Sequence, residues 1–440
     1  METTRRVPPW TLLALLGGCG LLTVCLCVAL AGCGWLFARN RGVGGPLAPV
    51  AAPVNRIAFQ GVDSNIYLIA PDGSDRRALT TDGEGGERPN RIYRTPTWSL
   101  DSRRLAYVQS ARTAGGVESK LQVSDATTGA QETVHTSTGT GPFYLYWAPD
   151  NRQLAFLESA GQTIALRLAS IGQTQSTELG QGSPFYFAWS PDSRRLLFHV
   201  NGVKQTSPQA RVSLFEPGQA ETPPLSDDPA LFLAPDWSPD GKTLLYARKG
   251  ASGDELVAAN ASGANPRALL PFRGSVSFAW SPMGDKIAAI LTGEPELQGL
   301  GQVAFGPLSV MDADGGNRRT LSEEKVLAFF WSPNGQQIAF LTLIPTGPAD
   351  PLRLRWAVAD VATGESRSLA DFVPTEAFVN LLPFFDQYAR SLTVWSPDSR
   401  SIVYSMTENG DQEAVYVVDV APGSDQRRLT DGSLAVWSWR

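Results

Sequence analysis

From residue 56 to the end of the chain, apolar residues fall in short runs, each closed by a polar cluster of Ser, Pro, Asp, Asn or Gly. Runs such as SFAW at 277–280, TLLYA at 243–247, QIAFL at 337–341 and AVYVVDV at 414–420 have the length and composition of strands. They recur as a set. One run ends in Trp and is followed by a Ser-Pro-Asp-Gly type turn, then a second and a third run follow. A turn such as DADGGN (312–317) or APGSD (421–425) leads to a fourth, as in RRLT at 427–430. The motif tryptophans are Trp98 (WSLDS), Trp147 (WAPDN), Trp189 (WSPDS), Trp237 (WSPDG), Trp280 (WSPMG), Trp331 (WSPNG) and Trp395 (WSPDS), with Trp437 in the final SLAVWSWR. Successive members are 49, 42, 48, 43, 51, 64 and 42 residues apart. A period of roughly 40–50 residues made of short strands predicts an all-β fold, a β-propeller of four-stranded antiparallel blades.

The turn chemistry supports the assignment. Pro presets φ for the turn, Asp accepts hydrogen bonds from nearby backbone amides, and Gly or a small residue relieves a positive φ. The motif Asp residues are therefore expected to be structural, and each Trp to wedge between blades, where a large ring buries much area. The first unit is incomplete: Arg56-IAF, Asn65-IYLIA and Arg76-RALT supply three strands with no Trp strand ahead of them. Ser433–Arg440 is a lone first strand, so the C-terminal strand is expected to complete the N-terminal blade and remove the exposed edges. Fourth strands near 78, 133, 178, 223, 268, 320, 368 and 428 give eight blades, with seven the alternative if a weak repeat such as WSLDS is discounted.

WSPDG followed by a K-x-I-A-F-like strand and a DADG turn resembles the PD40 repeat of TolB-like propellers, a repeat also found in the propeller domains of prolyl-oligopeptidase-like peptidases. The resemblance covers about residues 56–440. TolB carries a small α/β domain before a six-bladed propeller, whereas here a linker precedes a larger ring. The resemblance implies the fold, and no Tol-system role is carried over.

Ahead of the repeats, METTRRVPP is short and basic, and Trp10 to Phe37 is apolar and uncharged. Such a run is long enough to cross a bilayer of ~30 Å and has the layout of a secretion signal. Leu30-Ala31-Gly32-Cys33 matches a bacterial lipobox with Cys33 as the lipidated residue, while the apolar continuation through Gly34-Trp35-Leu36-Phe37 suits an uncleaved transmembrane anchor. Both readings stay open, and both tether the chain to the outer side of a membrane. The domain reading is thus a signal or anchor segment at 1–37, a Pro/Gly/Ala-rich linker at 38–55 and the propeller at 56–440. Cys19, Cys25, Cys27 and Cys33 all lie in the first segment, so the repeats hold no thiol.

Charge and chemistry narrow the function. The chain carries a net charge of −6, and no basic face of the kind nucleic acid needs is apparent. Arg pairs at 76–77, 103–104, 194–195, 318–319 and 427–428 recur at equivalent repeat positions and read as solvated blade features. His135 and His199 have no metal-ligand partner at useful spacing, too few to build the several-histidine metal site of resembling oligogalacturonate lyases. There is no Gly-x-Ser-x-Gly elbow, P-loop or dinucleotide fingerprint, and Asp312-Ala-Asp314-Gly-Gly lacks the rest of a calcium loop. No cofactor, metal or catalytic residue is assigned, and the expectation is a protein that is not an enzyme.

Loops sort onto two faces. The tight WSPDG and DADG turns share one face, with little room for variation. The long segments 81–95, 109–119, 199–210, 292–303, 342–353 and 371–391 share the other. Segment 371–391 concentrates Phe372, Phe378, Leu381, Leu382, Phe384, Phe385 and Tyr388. Exposed, these would form a protein or lipid contact patch; otherwise Glu376–Leu382 forms a short helix plugging the mouth of the ring or packing on its rim. Loop 81–95, with Glu84, Glu87, Arg88, Arg91 and Arg94, is a polar alternative. The leading expectation is a membrane-tethered scaffold that binds a protein or cell-envelope partner through the long-loop face. Alternatives are a receptor for a small ligand or glycan at the channel mouth, recognisable by a concave site of convergent polar and aromatic groups, and an accessory subunit of a separate hydrolase.

Overall fold

The computed structural model describes residues 55–139, 141–219, 223–226, 228–231, 233–292, 305–347 and 350–440. The anchor segment, Cys33 and nearly all of the linker lie outside them. Among the described residues no helix is long and apolar enough to cross a membrane.

Antiparallel four-strand meanders follow one another along the chain. Arg91–Trp98, Arg104–Thr113, Gly116–Asp125 and Gln131–Thr138 make the first complete one, and Pro142–Trp147, Gln153–Ala160, Thr163–Ser170 and Thr177–Gly182 the next. Phe185–Trp189, Leu196–Val200 and Arg211–Phe215 form a three-stranded sheet that a bridge from Val212 to Ser226 extends. Asp236–Trp237, Thr243–Gly250, Gly253–Asn260 and Arg267–Phe272 follow. Arg319–Trp331 is both the last strand of one meander and the first of the next, which fuses Ser275–Trp280 through Ser366–Phe372 into a seven-stranded sheet. Register shifts between Gly306 and Ser309, and between Val326 and Ala328, mark where that long strand changes partners. Ser401–Glu408, Gln412–Asp419 and Gln426–Asp431 complete the series, with Trp395 bridged to Ile402. Finally Leu434–Trp437 pairs with Ile57–Gln60, from Ile57 opposite Trp437 to Gln60 opposite Leu434. The C-terminal strand therefore completes the N-terminal sheet.

The motif turns work as their residue types require. In WSPDS at 189–193, Ser190 Oγ donates to Asp192 Oδ1 at 2.6 Å and accepts from Arg195 N at 2.9 Å, while Asp192 Oδ1 also accepts from Arg194 N. The fifth motif position is left-handed in every repeat: Ser102, Asn151, Ser193, Gly241, Gly284, Gly335 and Ser399. Gly or a small polar residue is the least strained choice there.

Five of the motif tryptophans tie their meander to the one before it. The indole N–H of Trp98 donates to Val436 O, that of Trp147 to Thr97 O, of Trp189 to Tyr146 O, of Trp331 to Ala279 O and of Trp395 to Phe330 O, at 2.9–3.4 Å. Each acceptor is the residue just before the preceding motif Trp. Trp437 closes the circuit: its backbone N–H donates to Thr393 O, and its carbonyl accepts from Thr393 Oγ1. Rows of Val, Leu, Ile, Ala and Phe from facing sheets fill the space between, fully buried. The architecture is an all-β propeller, with its core divided among the sheet-to-sheet gaps.

Candidate functional site

Segment 371–391 enters the ring. Thr375 caps a short helix α1 (Glu376–Val379): its Oγ1 accepts from Phe378 N and donates to Ser433 O at 2.6 Å. A 3-10 turn at Leu382–Phe384 leads into α2 (Phe385–Tyr388). Aromatic contacts hold the segment. Phe378 meets Trp356 and Phe372 at 6.4 Å between ring centroids, Phe385 meets Phe329 edge-on at 5.5 Å, and Tyr388 meets Tyr144 edge-on at 4.9 Å. Polar contacts reach strands far away in sequence. Tyr144 Oη donates to Gln387 O, Tyr388 Oη to Phe143 O, and Phe187 N to Gln387 Oε1. The segment is a plug bonded to the inner strands on the opposite side of the ring.

This placement decides what the aromatic cluster does. Phe372, Phe378, Leu382 and Phe385 are buried, and Leu381 and Tyr388 are half-buried. Only Phe384 of the seven stays out, 45% exposed. The apolar side chains pack on one another and on the inner strands.

Beneath the plug lies a cavity of about 450 Å³. It runs from Asp386, Ala389 and Arg390 at one end to the motif prolines Pro239, Pro282, Pro333 and Pro397 at the other. Its walls include Trp237, Trp280, Trp331, Trp395 and the half-buried Trp439. The plug residues Asp386, Ala389 and Arg390 line one end of this funnel.

Charge is concentrated at the base. Arg390 Nη2 lies 3.2 Å from Asp236 Oδ1 and donates to Pro235 O at 2.6 Å. Asp236 Oδ2 accepts from Trp280 N, and Asp386 Oδ2 accepts from Ala234 N. Burial pushes the Asp386 carboxyl above its ordinary value against the opposing pull of the Ala234 amide and Arg390. For Arg390, burial alone would lower the pKa; Asp236, with Tyr144, Tyr146 and Asp386, outweighs it and holds the guanidinium charged. Arg390 Nη1 is buried with no hydrogen-bond partner. The indole N–H groups of Trp237 and Trp280 are also buried and unpartnered. These two tryptophans interrupt the ladder, and both stand in the funnel wall. Local departures from a repeat's own rule tend to mark function.

Sequence reasoning overlooked this base, although signals exist. Asp386 and Arg390 are charged residues inside the apolar stretch LLPFFDQYARS. Asp236 occupies the position before the motif Trp, where the other repeats carry Thr97, Tyr146, Ala188, Ala279, Phe330, Val394 and Val436. Both are breaks in a pattern, visible once the repeats are aligned on one another.

The histidines are engaged elsewhere. His135 Nε2 lies 3.1 Å from Glu158 Oε1, and its Nδ1 lies 2.9 Å from Ser176 Oγ. His199 is held by Leu233 O and Gly202 O, and burial lowers its pKa. Asp312 pairs with Lys286 and Asn317, and Asp314 accepts from Gly316 N, as turn residues do. Among the described residues no group of three or more His, Cys, Asp or Glu converges as metal ligands would.

No protein-family model and no curated protein matches the sequence. Solved structures do. An oligogalacturonate lyase from Vibrio parahaemolyticus is 12% identical, with 84% of this chain and 99% of that chain covered and a TM-score of 0.52. A eukaryotic initiation factor is 12% identical, with 87% and 98% covered and a TM-score of 0.51. A putative TolB from Agrobacterium tumefaciens is 17% identical, with 66% and 99% covered and a TM-score of 0.41. At such identities these likenesses speak to the fold. The lyase and the initiation factor share the β-propeller fold that the PD40-like repeats implied. One expectation is corrected. The chain was read as not an enzyme, yet its fold is also that of oligogalacturonate lyases. The missing serine elbow and histidine cluster exclude particular mechanisms, and a propeller without them is not thereby excluded from catalysis.

Proposed function

We propose that the protein is an eight-bladed, ligand-binding propeller, tethered through its N-terminal apolar segment to the outer side of a membrane, that takes a small polar ligand into the funnel. The funnel itself carries the reading: a concave site of suitable volume, with aromatic walls and few, convergent polar groups at its base. The eight-blade count is supported by counting Arg319–Trp331 in two meanders. The tryptophans and prolines of the wall offer apolar surface to the C–H faces of a sugar ring. Asp236, Asp386 and Arg390 offer hydrogen bonds of both polarities to hydroxyl groups. An oligosaccharide is therefore the ligand class that fits best. The aromatic cluster that pointed to a protein contact on the long-loop face is largely buried, and the funnel is the favoured reading.

The test is saturation-transfer NMR on the full chain in nonionic detergent with neutral and acidic oligosaccharides, followed by chromatography of the sugars for turnover. Expected is binding by the wild type that weakens at least about tenfold in Trp439→Ala, a wall residue outside the strands. If no oligosaccharide gives a transfer signal, or if Trp439→Ala binds as the wild type does, the funnel is not a sugar site.

A further inference from the structure

A second cavity, of about 560 Å³, lies away from the funnel and is lined by Asn90, Ile92, Arg94, Arg112, Val117 and Phe143 among others. We infer that this cleft binds a small organic anion, an oxyanion carried on an apolar body, with Arg94 as its anchor.

Three observations converge on Arg94. Its side chain has no hydrogen-bond or ion-pair partner among the described residues, although the residue is half-buried and burial pushes its guanidinium below the ordinary value. An unpaired buried charge is costly, and an anionic partner removes the cost. Second, the strand is distorted directly beside it. Pairing of Arg91–Trp98 with Arg104–Thr113 slips between Arg94 and Thr97, and Thr95 sits at φ 57°, where a β-branched residue is strained. The Thr95 hydroxyl is buried with no partner. Bulges of this kind re-aim a side chain next to binding sites. Third, a second guanidinium lines the same cleft: Arg112 Nε donates to Pro89 O at 3.3 Å and makes no ion pair among the described residues.

The nearby carboxylates are committed elsewhere. Glu84 accepts from the backbone and side chain of Asn90, Glu118 pairs with Lys120, and Glu158 pairs with Arg167 and His135. No carboxylate lines the cleft among the described residues. Ile92, Val117 and Phe143 give the wall an apolar side, and the Phe143 carbonyl accepts from Tyr388 of the plug. Planar guanidinium groups bind carboxylate and phosphoryl oxygens in pairs. The cleft volume matches a small organic ligand.

The experiment titrates the full chain in nonionic detergent with benzoate, phenyl phosphate and uncharged benzyl alcohol, read by saturation-transfer NMR and thermal denaturation. Benzoate or phenyl phosphate should bind, and benzyl alcohol at least about tenfold more weakly. Which of the two anions binds more tightly tells carboxylate from phosphoryl. Arg94→Gln should lose anion binding at least about tenfold, with Arg94→Lys intermediate, because the charge survives and the fork does not. Without ligand, the Arg94→Gln midpoint should equal or exceed that of the wild type, since an unpaired charge has gone. Anion binding that survives Arg94→Gln, or none by the wild type up to about 10 mM, would overturn the inference. So would a lowered Arg94→Gln midpoint combined with wild-type anion affinity in Arg94→Ala.

Discussion

The indole ladder makes a quantitative prediction because two of its members lack the bond. Trp147 is fully buried, and its N–H donates to Thr97 O at 3.1 Å. Trp280 is also buried, but its N–H has no partner. Replacing either by Phe shortens the ring by a similar amount. The resulting void of a few tens of Å³ costs about 1 kcal/mol at ~24 cal/mol per Å³. The two sites then diverge. In Trp147→Phe the Thr97 carbonyl is left without its indole donor, a further loss of about 1–3 kcal/mol. In Trp280→Phe an unsatisfied donor is deleted, which relieves a desolvation cost of the same order. Trp147→Phe should therefore destabilise by about 2–4 kcal/mol, and Trp280→Phe by about 1 kcal/mol or less. The assay is urea denaturation of both variants, followed in parallel by fluorescence and far-UV circular dichroism. Equal losses at the two positions would refute the argument, because ring size alone would then set the cost and the hydrogen bond would count for nothing.

Two further outcomes follow from the same geometry. Phe385 is buried edge-on against Phe329, so Phe385→Ala should cost about 3–5 kcal/mol and open 371–391 to proteolysis; an unchanged urea midpoint with intact resistance would mean the plug is not seated by packing. Acid should destabilise the fold. At Asp240, the Ser238 hydroxyl and Lys242 amide lower the pKa; at Asp125, the Thr128 amide does; at Asp82, the Tyr93 hydroxyl does. Carboxylates with depressed folded values contribute stability above the unfolded value near about 4 and lose it as pH falls through the folded value. The thermal midpoint should thus be flat near neutrality and drop below about pH 4; a midpoint that rises there would show that Asp386 and Glu413, which burial pushes the other way, dominate.

The fold was legible because the chain can be compared with itself. Seven versions of one turn, each ending in a residue fit for positive φ, expose the period, and the period implies the four-strand unit. Pairing of the last strand with the first could be anticipated because one unit lacked a Trp strand and another lacked everything else. The fused strand Arg319–Trp331 was less legible, since no turn residues separate its two roles and only bulges mark the change. Segment 371–391 shows why burial is harder to read than periodicity. A run of aromatics outside the repeat fits an exposed patch and a buried plug equally well in sequence, and what decides is the space inside a wide ring.

That space also holds the proposed site. The tight-turn face leaves little room for variation, because the motif turns are built alike. Uniform turns, however, leave their prolines and tryptophans arrayed around the channel, and the plug residues Asp386, Ala389 and Arg390 line one end of it. Asp236 departs from the uncharged residues that stand before the motif Trp in the other repeats, and it meets the plug. Its carboxylate joins Arg390 to the Trp280 backbone, and the ladder breaks at the two tryptophans beside it. The proposed recognition site rests on their coincidence: polar groups already desolvated and held by neighbouring elements.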